Sequence, residues 1–76
     1  MPLFWIVHEQ DSKRRFLIEE GSTLIFARLN AAIAGFEGDF VEGHKLDAAR
    51  AKMVPKKMIG HVLTEMEALT LLDRMA

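Results

Sequence analysis

The chain begins with an apolar stretch over residues 3–9 that is rich in aromatic and β-branched side chains, the composition of a strand. Alternation sets Leu3, Trp5 and Val7 against Phe4, Ile6 and His8. Both sets are apolar, so this strand is expected to be covered on two sides. The polar stretch 10–14 has the length of a hairpin loop, and residues 15–20 read as a strand returning antiparallel.

Gly21 and Ser22 interrupt the pattern. Ser22 predicts an N-cap, a helix over residues 23–34 follows, and Gly35 supplies the left-handed stop. At about 100° per residue, Ile25, Phe26, Leu29, Ala32 and Ile33 share a bulky face, which is expected to cover the hairpin. Ala27, Ala31 and Ala34 form a second, flat face, and only Arg28 and Asn30 are strongly polar. A helix apolar on most sides is normally buried on most sides. The alanine face is therefore the predicted self-association surface.

Residues 39–46 predict a third strand, with Phe40, Glu42, His44 and Leu46 opposite Val41, Gly43 and Lys45. Gly43 marks a bulge or an edge. Asp47 caps a short helix over 48–53, which ends at Val54 because Pro55 follows. Residues 58–63 fit either a fourth short strand or a helical turn, and Gly60 favours the irregular or extended form. The final helix has the clearest start signal. Thr64 and Glu67 form a capping box, Leu63 and Ala68 a hydrophobic staple, and Met66, Leu69, Leu72 and Met75 recur at helical spacing. Glu65 and Glu67 lie at the positive end of its dipole and Arg74 at the negative end. The expected fold is a single α+β mini-domain over residues 1–76. A small antiparallel sheet of three to four strands packs against two main helices in the order ββαβα(β)α, the terminal helix lying beside the first.

Composition narrows the function classes. The chain has 76 residues and no cysteine, so neither a disulfide nor a thiolate zinc site can reinforce a small core. Hydrophobic residues make up 50% and charged residues 28%, a globular balance. No apolar run is long enough for a membrane span and no basic leader precedes the first strand, so a cytoplasmic protein is expected. Net charge is −1, which announces no polyanionic partner. The charges are nevertheless uneven. Between His44 and His61, Lys45, Arg50, Lys52, Lys56 and Lys57 stand against Asp47 alone, a basic segment able to contact phosphates of a nucleic acid.

His8, His44 and His61 with Glu9 and Glu42 hold suitable metal donors but none of the short spacings that preorganise a site. The plainer reading is ordinary hydrogen bonding, and no metal is assigned. Gly21-Ser22-Thr23 lacks a Walker pattern and a dinucleotide fingerprint, so no cofactor is implied. No serine or cysteine nucleophile set can be assembled, and no catalytic residue is assigned. Pro2, exposed as an amine if Met1 is removed, resembles the opening of the tautomerase superfamily, small enzymes that move protons on keto acids with an amino-terminal proline. That resemblance implies Pro2 as base and Arg14 or Arg15 as carboxylate holder, but it covers only the first residues, and a second strand precedes the helix. Residues 55–65 also bear a faint likeness to the carboxy-terminal modules of bacterial topoisomerases, without their zinc-binding cysteines. The leading expectation is a non-catalytic module that binds another protein or its own copy. Nucleic-acid binding through residues 45–57 comes second, and a proline-based enzyme third.

Overall fold

Turn chemistry sets the length of the first hairpin. In the computed structural model, which describes residues 1–76, Asp11 and Ser12 alone form the loop, with φ of 54° and 64°. Two consecutive left-handed residues match the twist of the flanking strands. The polar residues Gln10, Lys13 and Arg14 are therefore strand residues and not loop. β1 runs Leu3–Gln10 and β2 runs Lys13–Glu20, paired from Leu3↔Glu20 to Gln10↔Lys13.

β3, Asp39–Lys45, pairs antiparallel with the other side of β1. Its register shifts between Val7 and His8, so Glu42 faces Val7 while Phe40 faces His8 and Val41 is left over. The extra residue moves Phe40 onto the same face as Gly43 and Lys45, away from Glu42 and His44. The bulge thus sits at Val41, and Gly43 marks the edge. β4, Val62–Leu63, pairs with β2 at Phe16 and Leu17, completing a four-stranded sheet in the order β3-β1-β2-β4. Residues 58–63 are partly irregular and partly extended: Met58 ends a 3₁₀ turn, Ile59 bridges Ile18 in parallel, Gly60 turns with φ of 85°, and β4 follows.

Helices cover both faces of this sheet. α1, Leu24–Ile33, lies over Phe4, Ile6 and Leu17. α3, Glu65–Met75, lies over Leu3, Trp5, Val7 and Ile18, with Ala68, Leu71 and Met75 buried there. The two helices are thus separated by the sheet and do not lie side by side. The connection between β3 and β4 covers the same face as α3. It contains α2, Ala48–Ala51, a 3₁₀ turn at Lys56–Met58, and the buried Leu46 and Val54. Burial on both faces explains why residues 3–7 are apolar without alternation.

Capping decides the helix ends. Thr23, one residue later than expected, caps α1 by accepting from the Phe26 N–H at 3.4 Å. At the other end Gly35 has φ of 88°; its N–H donates to Ala32 and that of Phe36 to Ala31, each at 3.0 Å. This pair of hydrogen bonds is a Schellman stop, with Phe36 buried beside Ala31. α3 has its capping box intact: Glu67 N–H donates to Thr64 Oγ1 at 3.1 Å and Thr64 N–H to Glu67 Oε1 at 2.9 Å. Leu63 and Ala68 are buried in the same cluster, as a staple requires.

Candidate functional site

The two faces of α1 are exchanged relative to the sequence expectation. Ala27 and Ala31 are fully buried against the sheet, whereas Ile25 is 77% exposed, Phe26 and Leu29 54% each, and Ile33 78%. Ala27 and Ala31 therefore cannot form a self-association surface in this fold; Ala34, at the C-cap, is exposed. The reason is steric. The sheet already presents Phe4, Ile6 and Leu17, so the space under the middle of α1 takes the methyl groups of Ala27 and Ala31, while Leu24 and Phe36 close its two ends. Gly21 tightens the approach further, because a Cβ there would lie 2.5 Å from the backbone nitrogen of Ala27.

What α1 presents outward is a stripe. Ile25, Leu29 and Ile33 repeat every fourth residue with Phe26 beside them, so they line one side of the helix. None of the four is charged. The one charged residue of α1, Arg28, sits on its flank with its guanidinium 3.9 Å from the centre of the Phe40 ring. Asn30 is also engaged, donating to the Glu20 carbonyl at 2.8 Å.

A second surface lies on the opposite face of the sheet. A groove of about 720 Å³ opens between the start of β2, β4 and α3. Phe16, Leu69 and Leu72 give it apolar walls, and Lys13, Arg14 and Arg15 stand at its rim. The only ion pair in the chain joins Arg50 to Asp47, so none of these three cations is ion-paired, although Arg15 Nη1 donates to Gln10 Oε1 at 3.5 Å. Sequence reasoning missed this groove. In sequence, Lys13 and Arg14 read as loop, and Leu69 and Leu72 only as members of a helical repeat with Met66 and Met75.

The basic segment is not gathered into one face. Lys45 is paired with Phe4 and so projects on the α1 side. Arg50, Lys52, Lys56 and Lys57 belong to the connection covering the other side. Arg50 is also occupied, its Nε donating to the Met75 carbonyl at 3.1 Å and its Nη1 lying 2.6 Å from Asp47 Oδ2. Lys52, Lys56 and Lys57 remain exposed.

The histidines are likewise separated. His8 lies on the α1 side, stacked on Phe36 at 4.0 Å with Nδ1 3.0 Å from the Glu37 carbonyl, whereas His44 is paired with Trp5 and faces the α3 side. Pro2 is tied to the far end of the hairpin from Arg14, which pairs with Glu9. Seven strand residues at about 3.3 Å each separate the two ends, so no single keto acid could span Pro2 and Arg14 or Arg15. The one buried charged residue, Glu19, accepts from the Glu20 N–H at 2.9 Å. No helix is long and apolar enough to cross a membrane. No family model, curated protein or solved structure matches the chain.

Proposed function

We propose that this chain is a non-catalytic protein-interaction module that pairs with its own copy through the outer stripe of α1. The observation that carries the reading is the exposure of Ile25, Phe26, Leu29 and Ile33 as one contiguous, uncharged strip. Large apolar strips on small soluble domains mark contact surfaces. A second copy suits this one because the strip is self-complementary. Ridges at four-residue spacing fit the grooves of an identical helix across a twofold axis, and no charge opposes itself there. Pairing would also supplement a core that is thin in a chain of 76 residues.

Sedimentation equilibrium tests the reading with wild type and a Leu29→Glu, Ile33→Glu double variant. The expected result is a dimer for wild type and a folded monomer for the variant, since both positions face solvent and leave the core untouched. A wild type that stays monomeric at high micromolar concentration overturns it, as does a variant that remains dimeric. Ala31→Glu would not serve, because a carboxylate at a fully buried position unfolds the chain before it reports on pairing.

A further inference from the structure

The outer edge of β2 is closed residue by residue except at one end. The Ile18 carbonyl accepts from the Gly60 N–H at 2.8 Å, which shows that Ile18 directs its backbone groups outward, away from β1. In an antiparallel ladder, residues two apart point the same way, so Glu20, Phe16 and Arg14 do likewise. Asn30 caps the Glu20 carbonyl and Phe16 is paired with Leu63. Arg14 has no strand on its outer side, because β4 ends at Leu63 and the Thr64 capping box turns the chain away into α3. Its N–H and C=O are therefore open at the floor of the groove.

The side chains around this open edge are sorted by face. Phe16 packs with the α3 side, and alternation places Arg14 there with it. Lys13 and Arg15 share the opposite face with Leu17. A strand laid beside residues 13–16 would thus meet apolar walls on one side, Phe16, Leu69 and Leu72, and two cations without ion pairs, Lys13 and Arg15, on the other. Glu65 is the only acidic residue at the rim.

We propose that this groove takes an extended acidic segment of another protein by strand addition, continuing the line of β4 along β2. The segment alternates bulky apolar side chains, which enter the groove, with carboxylates, which meet Lys13 and Arg15. Backbone hydrogen bonds to Arg14 fix its register, as in other edge-addition complexes. The site lies on the face opposite the α1 stripe, so its occupancy does not depend on pairing between copies.

The test is fluorescence anisotropy at low salt on the intact chain, with a labelled, end-blocked heptapeptide alternating glutamate and leucine. The controls are its lysine–leucine counterpart, a version N-methylated at alternate residues, and a labelled oligothymidylate. The acidic peptide should bind, while the basic one should not. N-methylation should abolish binding, since it removes backbone donors and leaves every side chain in place. Lys13→Gln with Arg15→Gln should weaken binding by at least about tenfold, the scale of one charge-assisted hydrogen bond, with an unchanged circular dichroism spectrum. The proposal is overturned if the acidic peptide fails to bind at millimolar concentration, or if the N-methylated form binds equally well. Tighter binding of the oligothymidylate than of the peptide also overturns it, since the rim would then serve phosphates.

Discussion

At the scale of single residues, Thr64 and Glu67 carry more than their size suggests, because their reciprocal bonds start α3 and end β4 at one point. Thr64→Ala should lower stability by about 1 kcal/mol, the usual loss for such a cap. A urea denaturation midpoint equal to that of the parent would show that the box adds nothing. Glu67 also makes the domain acid-sensitive. The backbone N–H of Thr64 holds its carboxyl below the ordinary value of 4.5; slight burial opposes this, and the Thr64 hydroxyl, His61 and Lys57 add to it. A carboxyl depressed by folding stabilises above its unfolded pKa, and that contribution is lost as pH falls through the lower, folded value. The urea midpoint should therefore decline as pH drops below 4.5. Glu67→Gln should make the decline shallower. It should not abolish it, because Asp47 is also depressed, chiefly by the Arg50 backbone N–H. A Glu67→Gln profile parallel to wild type would contradict this assignment. Both caps were readable in the sequence, since each rests on a capping side chain that accepts from a backbone N–H three positions on.

At the scale of elements, α1 shows where a sequence pattern carries the right periodicity and the wrong direction. The helix, its Gly35 stop and its two faces follow from the residues themselves. Which face turns inward depends on what the sheet already holds, and that is not a local property. Phe4, Ile6 and Leu17 fill the layer from below, so the alanines go in and the isoleucines stay out. Gly21 was the available clue, since a glycine next to a helix carrying alanines four apart permits close backbone approach. Gly21→Ala tests that geometry. The added methyl would press on the backbone of Ala27, which cannot rotate aside, and should cost about 1–3 kcal/mol as overpacking. A midpoint within error of wild type would mean that α1 does not approach the sheet this closely at Gly21.

At the scale of the whole molecule, the antiparallel sheet and its mixture with helices were legible because hairpin, caps and proline punctuation are short-range signals. The placement of α3 on the opposite face was not, and neither was the groove beside Arg14. Both depend on register: β4 stops two residues in, and only the pairing of Phe16 with Leu63 reveals which part of β2 it leaves bare. The double covering of β1 also governs how the chain must fold. Residues 3–7 form an uncharged, proline-free run of high β-propensity, the type of segment that stacks into fibrils when left open. One edge closes early, because a two-residue turn brings Gln10 to Lys13 and hairpins form in roughly 1–10 μs. The other edge waits for β3, which lies beyond α1 in the chain. The species at risk of fibril growth is thus the hairpin before β3 docks, and the bulge at Val41 lies on the strand that ends that exposure.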